Sequence, residues 1–378
     1  MLLELLFSLS GLLLVVTALQ LVFWLGIYAR LGVYRSAKEE DVPQEALPLL
    51  SVLIAARNEA ENLQHNLPAV LKQDYPSFEV LVIDDDSSDC TQIILKNFQD
   101  QYPILRVLRI SPKTSPGKKS ALQLGISNAR GEWLVFTDAD CRPASAQWLR
   151  HLAIAMRPIL GKPTEIVLGY GPLWPQPGPL ARWARFETVY TAMQYAGFAL
   201  AGIPYMGVGR NLAWRRSLFD RVGGFAAHAD LASGDDDLFV NAAAKASNTK
   251  LCFEARAFVY SRAPSTWVAW MRQKHRHLSA GVRYRPLHRA LLAAAAASHV
   301  LHYALVMAVL WKGALPLALL CWGGRMLVAG VVFSLVARRL HESDLSWRFP
   351  LLDAGMALYW GIFVPGALVG HSRPVSWR

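Results

Sequence analysis

Two aspartates stand one residue apart directly behind an apolar run, in the stretch VFTDADCRP that begins at Val135. In an extended segment, side chains two residues apart point to the same side, so we expect Asp138 and Asp140 to project together. Two carboxylates held that close repel each other unless a cation lies between them. Carboxylate oxygens are typical ligands of Mg²⁺ or Mn²⁺, and substrate phosphates complete such sites. The pair therefore predicts a divalent cation site for a phosphorylated ligand.

Two further acidic clusters occur, DDDSSD from Asp84 and SGDDDL from Ser233. One acid of each is suited to cap the helix that follows. The first cluster has four carboxylates within six residues, more than capping requires, and its oxygens are suited to accept hydrogen bonds from base or ribose groups. In a chain of formal net charge +11, three such clusters predict a ligand site, with Lys118 and Lys119 available to meet phosphates.

The region that carries these clusters, residues 48–265, alternates between strand and helix patterns. The alternation predicts an α/β fold with a Rossmann-like, mixed and largely parallel sheet. Ligands of such sheets bind at the carboxyl ends of the strands, which is where the first two acidic clusters lie. The predicted strands are 49–55, 78–83, 105–110 and 133–136, and the predicted helices are 59–71, 91–99 and 119–129.

Apolar segments of membrane-spanning length flank this region. The chain is 53% hydrophobic with 13 Trp, more than an ordinary soluble domain carries. Residues 5–29, 290–310, 314–336 and 350–370 are each long enough to cross a bilayer core of about 30 Å. A secretory signal is the alternative for the first segment, but its apolar run exceeds the ~7–15 residues of such signals. We therefore expect one N-terminal and about three C-terminal transmembrane helices.

Basic residues set the expected orientation. Arg30 and Arg35 follow the first apolar segment and Arg289 precedes the second, which favours a cytoplasmic position for both boundaries. We expect an integral, multi-pass protein of the inner or plasma membrane, with residues 48–265 in the cytoplasm and both termini outside. Arg325 either lines a lipid or substrate path, or it snorkels or is paired inside the helix bundle. The predicted divisions are 1–30, 48–265, 266–289 and 290–371.

Two aromatic segments raise the question of contact with the membrane surface. Residues 267–278, WVAWMRQKHRHL, mix aromatic and basic side chains as an interfacial helix does. Residues 183–201 are suited equally to an interface or to internal packing.

Cysteine spacing and charge distribution exclude other classes. The four cysteines have no paired spacing, so the sequence predicts neither a disulfide framework nor a zinc site, in agreement with a reducing compartment. Lys and Arg gather at the membrane boundaries rather than along one face, so we expect no nucleic-acid partner.

The ordered series SVLIAARNEAENL, EVLVIDDDSSDCT and GKKSALQLGISNARGEWLVFTDADCRP resembles the nucleotide-sugar half of family 2 glycosyltransferases with a GT-A fold. Residues 207–225, GVGRNLAWRRSLFDRVGGF, are similar to the acceptor-side segment of that family. SGDDDLF stands where the family carries its Glu-Asp motif, and QKHRH from Gln273 resembles its QxxRW element, with His277 in place of Trp. The likeness spans about residues 49–281.

The resemblance implies a nucleotide pocket behind the first strand. Ala55, Arg57 and Glu59 would line this pocket. Asp85, with Asp84 beside it, would contact the base of a uridine- or guanosine-type donor.

The resemblance also implies a phosphate and cation site. Asp138 and Asp140 would hold the divalent cation, Mg²⁺ or Mn²⁺, that bridges the donor diphosphate. Lys118 would approach the donor from the Gly117 loop. Arg276, with Gln273 at the start of the QxxRH element, would steady the diphosphate.

The implied activity is an inverting transfer of a sugar from a nucleotide-diphosphate donor to a membrane lipid or lipid-linked glycan. Asp235 is the first candidate for the base and Asp236 the second, because Gly234 replaces the family's Glu and leaves the register open by one residue. A processive polysaccharide synthase is the alternative, against which His277 and only three C-terminal segments count. A membrane-anchored nucleotide- or Mg²⁺-binding regulator is the remote alternative, because QKHRH has no role there.

Overall fold

The computed structural model describes residues 8–36, 47–112, 117–158 and 161–369, with side chains up to residue 362. Its contacts divide the chain into two compact units. The sheet unit comprises the described parts of Arg35–Thr188 and Gly202–Ala280, and the helical unit those of Met1–Tyr34, Val189–Ala201 and Gly281–His371.

The sheet unit is built on a seven-stranded sheet in the order β3-β2-β1-β4-β7-β6-β8, and β5 pairs with β9. Four neighbouring pairs are parallel, and β7 is antiparallel to both β4 and β6. The predicted α/β fold with a mixed, largely parallel sheet is confirmed. The strands are β1 Leu50–Ala56, β2 Phe78–Asp85, β3 Leu105–Ile110, β4 Trp133–Phe136, β5 Arg142–Pro143, β6 Ile166–Gly169, β7 Leu212–Arg215, β8 Thr249–Cys252 and β9 Val259–Tyr260.

Helices alternate with these strands in the sheet unit, and further helices form the helical unit. The helices are α1 Leu9–Gly32, α2 Ala60–Leu71, α3 Thr91–Gln101, α4 Lys119–Asn128, α5 Trp148–Ala155, α6 Pro179–Leu200, α7 Arg216–Val222, α8 Asp237–Ala243, α9 Trp267–Gly281, α10 Pro286–Trp311, α11 Leu315–Arg339 and α12 Phe349–Val369. The predicted bounds of the first four core strands and the three helices after β1, β2 and β3 lie within two residues of those observed.

Apolar periodicity explains why these elements pack as they do. β1 is buried along its whole length, as expected for an apolar strand with both faces covered. In α2 the buried residues Leu63, Leu67 and Val70 recur at helical spacing and face the core. A Cβ at Gly125 would lie 2.7 Å from the Ile83 side chain, so glycine permits the close packing of α4 on the sheet.

Three helices of the helical unit, α1, α10 and α11, are long and apolar enough to cross a membrane. They correspond to the first three predicted crossings. The fourth, 350–370, falls on α12, whose side chains are described only to residue 362, and it stays a prediction.

Buried polar groups meet inside the helical unit. Arg325 and Asp353 are both fully buried and form an ion pair. Arg325 Nη2 donates to Gln20 Oε1 at 3.0 Å, and the Tyr303 hydroxyl donates to Asp353 Oδ2 at 2.7 Å. Of the two interpretations of Arg325, pairing inside the helix bundle is the one observed.

Helix α6 contains the second aromatic segment, 183–201. Phe186, Tyr190, Tyr195 and Phe198 are all buried. This burial favours internal packing over an interfacial position.

Candidate functional site

The carboxyl ends of the parallel strands bring the predicted site residues to one edge of the sheet. Ala55 is the second-last residue of β1, Asp84 and Asp85 end β2, and Asp138 follows β4 by two residues. Because β1 lies between β2 and β4 and is parallel to both, the carboxyl ends of the three strands are neighbours. This edge is where ligands of open α/β sheets bind.

Asp138 and Asp140 lie in a turn rather than in the extended segment that we expected. The Cys141 backbone N–H donates to the Asp138 carbonyl oxygen at 3.1 Å, which closes the turn over Ala139. The predicted extended backbone at Asp138 and Asp140 was therefore wrong. One ligand atom each from Asp138, Asp140 and Cys141 still fall within 4.8 Å of one another, close enough to share a cation.

The two carboxylates of this turn have pKa values that are shifted in opposite directions. Asp140 is exposed at the surface, yet partial desolvation by the surrounding protein and then the charge of neighbouring Asp138 raise its pKa. Burial also acts to raise the pKa of Asp138, but Lys118 and then Arg210 and Arg276 outweigh it, so that pKa is lowered. The site therefore concentrates negative charge that nearby cations only partly offset.

The donor groups of this turn fit a hard divalent cation. Burial and the two neighbouring carboxylates hold the pKa of the Cys141 thiol well above its ordinary value. Without a cation the thiol is therefore protonated, and the charged ligands of the turn are the oxygens of Asp138 and Asp140. Such oxygens suit Mg²⁺ or Mn²⁺ rather than a thiophilic metal.

Lys118 joins the turn to the third acidic cluster. Its ammonium lies 2.9 Å from Asp138 Oδ1 and 3.1 Å from Asp235 Oδ2. Burial alone would lower the pKa of Lys118, but Asp138, Asp235 and Asp236 raise it well above the ordinary value. The lysine is therefore charged and holds two carboxylates from distant parts of the sequence together.

Backbone geometry explains why glycine precedes Asp235. Gly234 has φ +90°, a left-handed conformation that glycine adopts without strain. A Cβ at this position would lie 2.4 Å from Leu238 Cδ1. A glutamate at position 234 would thus require a different local backbone.

The two candidate bases differ in their contacts. Asp235 is 6% exposed and meets Lys118. Asp236 Oδ2 accepts the Gly209 N–H at 2.6 Å, and its Oδ1 accepts the Asp237 N–H at 2.8 Å. Burial and the adjacent Asp235 raise the pKa of Asp236. A cavity of about 10 Å³ brings together five of the predicted residues, Ala55, Lys118, Asp138, Asp235 and Asp236.

The loops after β1 and β2 are fastened to each other. Asn58 N–H donates to Ser87 Oγ at 2.9 Å, and the Asn58 side-chain oxygen accepts the Ser88 N–H at 2.8 Å. Asp89 accepts hydrogen bonds from the backbone N–H groups of Ala60 and Thr91, which are the first residues of α2 and α3.

The remaining nucleotide-side candidates lie around these loops. Asp84 and Asp85 are buried, and Asp84 Oδ1 accepts the Ser87 N–H at 3.1 Å. The pKa of Glu59 is raised by burial and then by the charges of Asp140 and other carboxylates. Arg57 is half-buried.

The QxxRH element belongs to α9. Arg276 is half-buried, and its charge helps to lower the pKa of Asp138. His277 is exposed, yet desolvation by the surrounding protein and then the charges of Lys274, Arg276 and other cations lower its pKa well below the ordinary value. Gln273 is half-buried and has no hydrogen bond or ion pair with the described residues.

Sequence reasoning did not single out two polar residues of the loop before β7, Arg210 and Asn211. Arg210 Nη1 donates to Ser261 Oγ at 2.6 Å, and its charge acts on both Asp138 and Asp140. Asn211 is fully buried and donates to the carbonyls of Tyr170 and Ala257 at 2.9 and 2.8 Å. These three contacts join segments far apart in sequence, so no spacing rule could have found them.

Known proteins resemble this chain in sequence and fold. Residues 51–223 match the family described as "Glycosyl transferase family 2". The "Probable glycosyltransferase YdaM" of Bacillus subtilis (strain 168) is 28% identical over 251 residues, which cover 63% of this chain and 57% of that protein. The "Beta-monoglucosyldiacylglycerol synthase" of Trichormus variabilis is 33% identical over 158 residues, 38% of this chain and 34% of that protein. The chain thus spans only part of the length of these relatives.

A solved structure shares the fold. The "Mannosyltransferase PcManGT from Pyrobaculum calidifontis in complex with GDP-Man and Mn2+" superposes with a TM-score of 0.57 over 93% of this chain and 99% of that chain. At 19% sequence identity, this likeness concerns the fold alone.

Proposed function

Because this chain belongs to glycosyl transferase family 2, we propose that it transfers a sugar from a nucleotide-diphosphate donor to a membrane lipid or lipid-linked glycan. The observation that carries the proposal is the ammonium of Lys118, which is within hydrogen-bond reach of Asp138 and Asp235. The candidate cation ligand Asp138 and the buried candidate base Asp235 therefore lie next to the same ammonium group. Sugar transfer needs a cation ligand and a base close to each other.

The donor nucleotide lies, in this proposal, at the ends of β1 and β2. Ala55, Arg57 and Glu59 line its pocket, and Asp84 and Asp85 serve the base of a uridine- or guanosine-type donor. The interlocked loops after the two strands give this pocket a fixed rim.

The donor diphosphate lies beside the cation turn. Asp138 and Asp140 would hold Mg²⁺ or Mn²⁺, which when bound offsets the charge that develops on the leaving diphosphate. Lys118 and Arg276, with Gln273 near by on α9, bind the phosphates. Lys118 would have to turn from its carboxylates toward this incoming anion.

Asp235 acts as the base. It removes the proton from the acceptor hydroxyl as that oxygen bonds to the anomeric carbon and the diphosphate leaves. One displacement of this kind inverts the anomeric centre. Asp236 is less suited because both of its oxygens already accept backbone N–H groups.

The acceptor reaches the site from the membrane. Three apolar helices of spanning length support an integral, multi-pass protein, and the basic residues at their boundaries favour a cytoplasmic sheet unit. On α9, Trp267, Val268 and Met271 are 40–52% exposed, which suits a helix at the bilayer surface. The glucosyldiacylglycerol synthase among the relatives also supports a lipid acceptor.

Thermal shift of the detergent-purified protein tests the donor site. UDP, GDP, CDP and ADP are compared with Mn²⁺, with Mg²⁺ and with EDTA. Because a ligand that binds only the native state raises its stability, one nucleotide should raise Tm in a metal-dependent way, and Asp140→Ala should remove that shift. No shift with any nucleotide would contradict the proposal.

Incorporation of label tests transfer. UDP-glucose and GDP-mannose, labelled in the sugar, are incubated with diacylglycerol or a polyprenyl phosphate in mixed micelles. Label should enter one lipid with wild-type protein and not with Asp235→Asn. Equal incorporation by that variant would exclude Asp235 as the base.

A further inference from the structure

Lys119 does not face the phosphate side, although the sequence led us to expect it there. It is 5% exposed, and its ammonium donates to the carbonyl oxygen of Leu231 at 3.0 Å and to that of His228. Both acceptors belong to residues 226–235, here called the base segment, which ends at Asp235. A buried ammonium therefore ties this segment to the start of α4.

The two residues before Lys119 contact the same segment. A Cβ at Gly117 would lie 2.3 Å from the Ala232 carbonyl oxygen, so the two backbones are in close contact. Lys118 forms its ion pair with Asp235. Three consecutive residues thus contact four residues of the base segment.

Glycines with left-handed backbones lie just before the base segment and near its end. Gly223 and Gly224 precede it with φ of +82° and +60°, and Gly234 near its end has φ +90°. Within it, the His228 side chain is buried. Glycines leave the unfolded backbone more freedom than other residues do, so the segment depends on its side-chain ties.

We propose that Lys119 is a positioning residue that holds the base segment and so sets Asp235 for proton removal. The inference rests on the proposed function, in which Asp235 is the base. A buried ammonium is costly unless its hydrogen bonds are made, so the native state favours the arrangement in which the segment supplies its carbonyls. Since Lys118 and Gly117 belong to the donor side, the same ties connect donor binding with the base.

The test compares Lys119→Met, Lys119→Arg and the control Lys96→Met, an exposed lysine of α3. Amide hydrogen exchange of the full-length protein in detergent, without substrate, reports on residues 226–235. Lys119→Met should speed exchange there by about tenfold or more, while Lys119→Arg, which can still donate to both carbonyls, should restore slow exchange. Lys96→Met should behave as wild type.

Kinetics of the same variants separate positioning from donor binding. With labelled UDP-glucose or GDP-mannose, whichever the wild type uses, Lys119→Met should lower kcat by roughly tenfold and change donor affinity less than about threefold. Unchanged exchange in the base segment, or a loss of donor affinity as large as the loss of kcat, would overturn the proposal.

Two outcomes of these experiments need a further step: a variant that does not fold, and a wild type that binds no nucleotide. If Lys119→Met does not fold, Lys119→Gln, which keeps a polar end but removes the charge and shortens the side chain, should give the same faster exchange; exchange like wild type would overturn the proposal. If the wild type binds no nucleotide, the proposed function fails, and the exchange result still decides whether Lys119 holds the segment.

Discussion

The backbone N–H of Gly209 donates to Asp236 Oδ2 at 2.6 Å. The other oxygen of that carboxylate accepts the N–H of Asp237. Asp236 therefore fixes the start of α8 against the loop before β7. Asp235, one residue earlier, meets the Lys118 ammonium instead, and this difference assigns the two acids different tasks.

We predict that Asp235→Asn and Asp236→Asn fail in different ways. Asp235→Asn should lower kcat by roughly 10²- to 10⁴-fold, the usual contribution of a general base, and keep the metal-dependent Tm shift with nucleotide. In Asp236→Asn the amide nitrogen cannot accept one of the two backbone N–H groups. That variant should lose about 1–3 kcal/mol of stability, seen as a lower Tm. Full loss of transfer by Asp236→Asn at unchanged Tm would move the base to Asp236.

A second prediction concerns competition between Lys118 and the cation. The Lys118 ammonium lies where it weakens the attraction of Asp138 for a metal ion. Lys118→Met should therefore tighten Mn²⁺ binding without donor by roughly tenfold, because a unit charge about 3 Å away contributes on the order of 1 kcal/mol even in water. The spectrum of free Mn²⁺ in electron paramagnetic resonance measures this affinity.

The same variant should bind the donor nucleotide more weakly, since it loses a phosphate-binding cation. Lys96→Met, at an exposed site, serves as the control for both measurements. Weaker Mn²⁺ binding by Lys118→Met would show that the lysine organises the cation site instead of competing for it.

The sequence predicted those features that depend on neighbours along the chain. Apolar runs located β1 and β2, and the spacing of Asp138 and Asp140 pointed to a cation site although their backbone turns. Contacts between residues far apart in the chain, such as that of Arg210 with Ser261, could not be predicted from the sequence. Lys119 was misjudged because successive residues at a helix start point about 100° apart, so its neighbour Lys118 can face the site while Lys119 enters the interior.

A third prediction links stability to pH through Glu79 on β2. Burial would raise the pKa of this carboxyl, but hydrogen bonds from Ser51, the Arg130 N–H and Arg106 outweigh it and lower the pKa. The resulting stability is present above the unfolded pKa of about 4.3 and is lost as pH falls through the lower folded value.

Glu79→Gln should therefore lower Tm at pH 7 by the equivalent of about 1–3 kcal/mol, because an amide cannot accept as many hydrogen bonds. The gap to wild type should shrink as pH falls below about 4. Thermal unfolding between pH 7 and pH 3.5 measures it, with Glu61→Gln, on the exposed side of α2, as control. A gap that is constant across this range would show that the Glu79 charge contributes nothing.

The last prediction concerns Arg325 and Asp353, the fully buried ion pair of the helical unit. Removing one partner leaves the other as an uncompensated charge among apolar helices. Asp353→Leu or Arg325→Met alone should each cost about 3–5 kcal/mol of stability. The double variant removes both charges, so its cost should be well below the sum of the two single costs.

Thermal unfolding of the four proteins in one detergent gives the coupling energy as a double-mutant cycle. Strictly additive losses would mean that the two side chains act independently despite their contact. A double variant about as stable as wild type would instead show that the pair adds little net stability. In that case the ion pair is retained for the specific packing of α11 on its neighbours, because only one arrangement of the helices lets both charges be paired.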